Sequence, residues 1–598
     1  MPDNPDRYKL LLKRWLLPLL ILMALVTLLE NRAMAAEPPR TLERGNGPEP
    51  DSLDPHRAQG LSAQQVIRDL FEGLVRDDAD GRLVPAAAER FEISDDGLVY
   101  RFHLRAEARF ADGSALTAPD FVYSFERALD PLTTAPYAAM LSPIAGATER
   151  LAGKREPALG VRAVDPLILE IRLAAPRSDF LRRLAMPVAM PVQRTAIEQH
   201  ATGFTRAGRL HGNGAYRLVE WTPQSTLVLE RNPYYRNAAS ISIERVRYHV
   251  TEDASQELKR YAAGELHLTE TLPPGQAERL RAEYSDELVI APAFASFFLG
   301  FNLRQLALRD RELREALSLA IDREILVRYI TGNGEAAAYE IVPKVGAGKA
   351  FDRRSNPQEP PEAVPKVGAG KAFDRRSNPQ EPPEAVPKVG AGKAFDRRSN
   401  PQKRGGARLQ WADWTQEQRN ARARELYVAA GFTADQPLQI ELRYNTSLVN
   451  RRLTLAIASM WKEVLGVDTR LRNEDWKVFV QNRRAGVVTQ VFRAGWFADY
   501  ADPLNFLEPF VSGHALNAIG FADASFDGAL GVAGSALGPE RADALRVAEQ
   551  TLLDAHALIP LYHYATKHLV SPSVCGYRAH PLDHHPSEFL RFCEPAIQ

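Results

Sequence analysis

From Tyr100 to Arg105, apolar Tyr100, Phe102 and Leu104 alternate with Arg101, His103 and Arg105. That period of two predicts a half-buried strand, and Ala111-Asp112-Gly113 predicts the turn after it. The pattern then changes to a helical one. Thr117 is a candidate cap with Asp120 three residues on, Pro119 suits the first turn, and Phe121, Phe125 and Leu129 recur at i, i+4 and i+8 on one face. Further along, Leu453, Ile457, Trp461 and Val464 mark a second apolar helix face that Gly466 stops, and Val467, Thr469 and Leu471 alternate as a strand. Helices and strands mixed in this way over several hundred residues predict a multi-lobed α/β protein.

One stretch carries neither period. VPKVGAGKAFDRRSNPQEPPEA begins at Val342, recurs identically at Val364 and starts a third time at Val386 before diverging after Gln402. Functional repeats drift in sequence and keep a periodic apolar face; these copies do neither, which identifies a tandem duplication in a surface loop. So little apolar surface cannot offset the backbone entropy of ordering it, so a flexible segment is expected.

Length and charge narrow the classes. The chain has 598 residues, 45% of them hydrophobic, enough for two or three cores. Lysine plus arginine equal aspartate plus glutamate at 75 each, which removes the electrostatic case for nucleic acid or an anionic membrane as partner. At the N-terminus Arg7, Lys9, Lys13 and Arg14 precede the apolar run Trp15 to Leu29, and Ala33-Met34-Ala35 supplies small residues for cleavage. This predicts a signal peptide over residues 1–35, Ala36 as the first mature residue, and a periplasmic protein; no cysteine follows the apolar run to take a lipid. Cys575 and Cys593 are the only cysteines. In an oxidising compartment they are candidates for a disulfide, and sequence leaves open whether their side chains meet.

Catalytic signatures are missing: G-x-S-x-G, H-E-x-x-H and G-x-G-x-x-G do not occur. Gly346-Ala347-Gly348-Lys349-Ala350 imitates a phosphate loop, but Pro343 stands where its first glycine belongs and Ala350 where a Ser or Thr would hold magnesium. No enzyme activity, cofactor or metal is therefore expected. His563, His568, His580, His584 and His585 crowd the C-terminal end and are read as a polar, partly exposed segment, with metal binding as the alternative. Arg493-Ala494-Gly495-Trp496-Phe497-Ala498-Asp499-Tyr500 sets a guanidinium, aromatics and a carboxylate within eight residues. A zwitterionic peptide needs one fixed anion, one fixed cation and backbone partners for its amides. A strand end with Asp499 capping the next turn explains the same spacing.

The run from Pro50 to His56, then Asp69 to Leu74, YRFHLRAEARFADGSALTAPDFVYSFERALDP from Tyr100, NGAYRLVEW from Asn213 and LERNPYY from Leu229 resembles the family 5 extracellular solute-binding proteins, the oligopeptide and dipeptide binders. These motifs are collinear and span nearly the whole chain apart from the repeats. The resemblance implies a three-lobed α/β periplasmic binding fold in which two lobes close on the ligand by a hinge and an extra domain packs on the first. It implies lobe I from residues 36–71, 197–294 and 567–598, the extra domain II from 72–196, and lobe III from 295–566 with the repeat loop 342–402 inside it.

By the same resemblance Asp499 pairs with a peptide's ammonium, Gly495 and Phe497 offer backbone hydrogen bonds, and Arg493 meets the carboxylate of shorter peptides. Trp476, Trp496 and Tyr137 line the cleft. The partners implied are short peptides and an inner-membrane ABC permease, with no nucleic acid, and the protein is a monomer. Thr331 and Asn450 stand where the branch uses a Lys and a His for the carboxylates of peptides of different length. Murein peptides, or a metal chelate, are therefore alternatives on the same scaffold.

Overall fold

The computed structural model describes residues 40–344, 406–486 and 489–593. The signal segment and nearly all of the repeat lie outside the described residues. The chain lays down β1 (Thr41–Gly45) and α1 (Leu61–Leu70), then leaves to build a second body. There β2 (Ala88–Ile93), β3 (Val99–Leu104), β4 (Val161–Asp165) and β5 (Ile168–Arg172) form an antiparallel sheet in the order β2-β3-β5-β4. Tyr100, Phe102 and Leu104 of β3 are buried as their alternation predicts. The helix α2 (Ala118–Leu129) covers this sheet, capped at Thr117, whose N–H and Oγ1 both donate to Asp120 Oδ2 at 2.8 and 2.7 Å. Phe121, Phe125 and Leu129 face its core, each contributing roughly 1.5–3 kcal/mol by leaving water.

The chain then returns. β6 (Tyr216–Thr222), β7 (Thr226–Arg231) and β8 (Arg245–His249) complete the first sheet in the order β1-β8-β7-β6, with β1 parallel to β8. Its core draws on Leu42, Val66, Tyr216 and Val246 together with Val570 and Leu590 from the far end of the sequence. Cys575 and Cys593 are joined in a disulfide there.

A third body holds a six-stranded mixed sheet of β9 (Leu288–Phe301), β10 (Ala336–Ala337), β11 (Gln439–Asn445), β12 (Asp468–Glu474), β13 (Val491–Phe497) and β14 (Leu558–Leu569), ordered β10-β14-β9-β13-β11-β12. Helices α3 (Arg311–Leu319), α4 (Gln416–Ala429) and α5 (Leu448–Leu465) cover one part of it. Trp461 of α5 is wholly buried and donates Nε1–H to Leu317 O at 2.8 Å. Gly466 ends α5 with φ of 77°, a left-handed conformation that costs glycine little.

The long antiparallel strands β9 and β14 run from the third body into the first. Leu288 to Pro292 pair with Leu569 to Ala565, the register slips between Pro292 and Ser296, and pairing resumes from Ser296 opposite His563. An irregularity in both crossing strands at the same level lets the ladder bend there without breaking the pairing on either side.

Candidate functional site

β13 is paired along one edge only over its last residues. Val491 and Phe492 are held by β11 on one side, whereas the whole strand is held by β9 on the other. Backbone groups in a strand alternate between its two edges. Ala498 donates its N–H to Phe294 O at 3.1 Å on the β9 side, so the N–H and C=O groups of Phe497 and Gly495 point to the opposite, open edge. A further strand can be added there.

Opposite charges stand at the two ends of that edge. Asp499 carries its own N–H on Asn505 Oδ1 at 3.1 Å, and no described residue forms an ion pair with it. Burial raises its carboxyl to about 6, against the opposing pull of Asn505 and Arg183. At the other end Arg493 donates Nε–H to Asn445 Oδ1 at 2.6 Å and lies over the rings of Trp476, Phe479 and Phe297 at 5.5, 5.6 and 5.8 Å. No described carboxylate pairs with this guanidinium. Burial lowers its pKa. Nearby Arg483 is lowered to about 10 by burial and by the charges of Arg493 and Arg484.

Asp499, Phe497 and Tyr137 line one cavity of about 480 Å³ between the three bodies, with Gln59, Gln64, Glu270, Lys567 and Asp583. That volume is within the range of small-ligand sites, about 300–1,000 Å³. The Tyr137 phenol, held at about 12 by burial and by the charges of Asp499 and Asp51, donates to Gln59 O at 3.5 Å. Phe497 is 54% exposed and packs on Tyr564 with ring centres 4.5 Å apart. Gly495 faces the same tyrosine: a Cβ there would lie 2.9 Å from Tyr564 Oη.

The remaining predicted residues divide. Trp476, 51% exposed at the start of α6 (Trp476–Ala485), stays with Arg493 at the far end. Trp496 does not line the cavity, contrary to the sequence expectation. Side chains alternate along β13, so Trp496 turns to the other face, packs near Phe294 and Phe506, and donates Nε1–H to Asn505 Oδ1 at 2.8 Å. Thr331 is buried with Oγ1 donating to Val327 O at 3.2 Å, and Asn450 donates to Asn445 Oδ1 at 3.0 Å. Asn450 thus sits behind Arg493 through a shared partner, while Arg451 and Arg452 are exposed on α5. Sequence reasoning missed Asn445, Asn505, Tyr564 and Glu270. Only Tyr564 left a signal, in the alternation of Tyr562 and Tyr564 along β14.

The C-terminal histidines are a correction: the segment is partly exposed, but all of its histidines except the half-buried His584 are turned inward. His563, His568, His580 and His585 are buried. His568 bonds Thr269 O through Nδ1 and Asp583 Oδ1 through Nε2, both at 2.8 Å, and the Asp583 charge lifts it to about 9. Both its ring nitrogens therefore carry protons at neutral pH. His580 Nδ1 accepts N–H bonds from Leu582 and His584, which leaves the proton on Nε2. Two triads, Asp77 with His580 and His584, and His568 with Asp583 and His585, have the proximity of metal ligands. The hydrogen bonds place protons on the nitrogens of His568 and His580 that a metal would need.

The whole chain, beyond this strand edge, has known relatives. The chain is 34% identical over 567 residues, 92% of it and 94% of the relative, to the periplasmic oligopeptide-binding protein OppA of Escherichia coli strain K12. It is 33% identical over 534 residues, 88% of each, to the periplasmic murein peptide-binding protein MppA of the same strain. The crystal structure of Haemophilus influenzae OppA in complex with RPPGFSPFR superposes with a TM-score of 0.71 at 28% identity, covering 93% of this chain and 100% of that one. The family model described as bacterial extracellular solute-binding proteins, family 5 Middle, matches residues 82–517. With that match across most of its length, and a three-lobed fold shared with its relatives, this chain belongs to the family 5 bacterial extracellular solute-binding proteins.

Proposed function

We propose that the protein is the periplasmic solute-binding component of an ABC peptide importer, binding short peptides through their backbone and termini and delivering them to an inner-membrane permease as a monomer. The observation that carries this reading is the placement of Asp499 and Arg493, two half-buried, oppositely charged groups without ion-pair partners among the described residues, at the ends of an unpaired strand edge. The six residue steps between them span about 20 Å of strand. An extended peptide of a few residues fits that length, with its ammonium on Asp499, its carboxylate on Arg493 and its amides on Gly495 and Phe497. Side chains carry little of the recognition in such a mode, so sequence preference is broad.

The lobe limits inferred from the sequence accompany this reading: 36–71, 197–294 and 567–598 for lobe I, 72–196 for domain II and 295–566 for lobe III, after removal of residues 1–35. Among the described residues no helix is long and apolar enough to cross a membrane. The periplasmic relatives support the same location.

A second reading, a murein-peptide carrier, is favoured by Thr331 and Asn450. Both are neutral and already hydrogen-bonded within the protein, so the carboxylates of linear peptides of other lengths find no cation there, and one relative is a murein peptide binder by name. The test is native mass spectrometry of protein purified gently from a periplasmic extract, with sequencing of what denaturation releases. A heterogeneous set of short peptides supports the first reading and murein peptides alone the second; a metal or non-peptide mass overturns both.

A further inference from the structure

The cavity beside Asp499 is larger than an ammonium group needs, and its other charged groups can be accounted for one by one. Lys567 spends its charge on Glu335 at 2.9 Å. Asp583 is bonded to His568 and His585 at 2.8 and 2.9 Å. His584 is held in its neutral form by burial and by the Arg68 charge. Two carboxyls remain without an ion-pair partner, Asp499 and Glu270, and both line the cavity.

Glu270 is held through one of its two oxygens. Its Oε2 accepts from Gln65 Nε2 at 2.7 Å, and Gln65 Oε1 in turn accepts from Arg44 Nη2 at 2.7 Å. No described residue donates a hydrogen bond to its Oε1. Around it stand Arg44 on β1, Glu257 on the helix Ala254–Ala262, His568 on β14, and Asp583. Burial, with the charges of Asp583 and Glu257, outweighs Arg44 and His568 and pushes the Glu270 carboxyl far above the usual carboxylate range. These surroundings favour the protonated form of Glu270 as long as no cation faces it.

A peptide whose ammonium meets Asp499 and whose chain runs along β13 toward Arg493 has its first side chain at this end of the edge. We infer that Glu270 reads the side chain of the ligand's first residue and favours lysine or arginine there. This rests on the peptide reading and deepens it, from peptides in general to those with a basic first residue. A cation reaching Glu270 displaces its proton and takes the position at Oε1, forming a charge-assisted hydrogen bond in a partly buried place. An apolar first residue leaves the proton where it is.

The experiment is isothermal titration calorimetry at pH 7 with two tripeptides that share a backbone, Lys-Ala-Ala and norleucine-Ala-Ala, each in two buffers of different ionisation enthalpy. The lysine peptide should bind about tenfold tighter, the low end for a hydrogen bond between charged groups, and release close to one more proton than the norleucine peptide. Glu270→Gln should bring the affinity ratio toward one and remove the extra proton. Equal affinities in the unsubstituted protein, or a ratio that survives Glu270→Gln, would overturn the inference while leaving the peptide reading intact. Binding of neither tripeptide would overturn both. Proton release is read in the unsubstituted protein, so the test stands even if Glu270→Gln misfolds.

Discussion

The phenol of Tyr500 donates to Oδ2 of Asp179 at 2.8 Å, so the residue next to Asp499 is tied to the second body of the fold. Asp179 is buried and also takes Arg177 and Arg183, both at 2.9 Å; Arg183 continues to Glu508 at 2.8 Å, back in the third body. The bond is made where two bodies meet, and separating them breaks it. Tyr500→Phe removes one hydrogen bond and no charge, which should cost about 1 kcal/mol of the closed arrangement and weaken ligand binding about fivefold. Calorimetric affinity, with small-angle scattering of the free protein for its extent of opening, checks this. Unchanged affinity would show that the contact is not part of closure.

Asp499→Asn should weaken peptides with a free amine by at least several-fold, because their ammonium loses the carboxylate that stands at the end of the strand itself. The same peptides N-acetylated should bind poorly to both proteins. Equal affinity of the variant for the free-amine peptide refutes the placement of the ammonium.

Asp499 also sets a pH dependence whose sign is fixed. Burial raises its carboxyl to about 6 in the empty site, and an ammonium favours the ionised form, so protonation competes with ligand. Between pH 7 and pH 5 the affinity should fall about tenfold through this group, since a peptide's amine is mostly charged throughout that range. Titrations at both values test it, and the fall should vanish in Asp499→Asn.

The disulfide joins residues 18 apart in sequence, next to the short strands Val574–Cys575 and Arg591–Phe592. Cys575→Ser with Cys593→Ser should lower stability by about 3 kcal/mol in the chain-entropy account, with ligand affinity kept because the bridge lies away from the cavity. Thermal unfolding alongside calorimetry separates the two effects.

The described residues that flank the repeat lie close together on the third body. Glu549 accepts the N–H groups of Ile341 and Val342 at 3.0 and 2.9 Å, Gln550 accepts that of Arg408 at 3.1 Å, and a Cβ on Gly406 would lie 3.6 Å from Lys344 Cε. Excising the identical copy 364–385 keeps both roots. Loop-closure entropy varies only logarithmically with length, so stability should change by less than about 0.6 kcal/mol. A large loss on denaturant unfolding would show that the repeat packs against the rest of the chain.

What could be read from the chain itself was local. The alternation in β3, the Thr117 capping box, the apolar face of α5 and its Gly466 stop all depend on neighbours within a few residues, and each appears in the structure where the pattern put it. The stretch from Arg493 to Asp499 was open to a peptide-binding reading and to that of a strand end with a capping carboxylate, since both charges and the strand between them are contiguous in sequence.

The rest depended on partners far away along the chain. That one edge of β13 is open follows from β11 ending its pairing at Phe492, and that Trp496 faces away from the cavity follows from the register with β9. The histidines were misread because their burial is created by Thr269 and Asp583 arriving from separate elements, and nothing in a short polar run reveals the desolvation it will meet. Glu270 and Tyr137 are separated from Asp499 by more than two hundred residues, yet share its cavity. Sequence determined which groups could bind; tertiary structure decided which were left without partners, because burial and charge pairing are properties of neighbours in space.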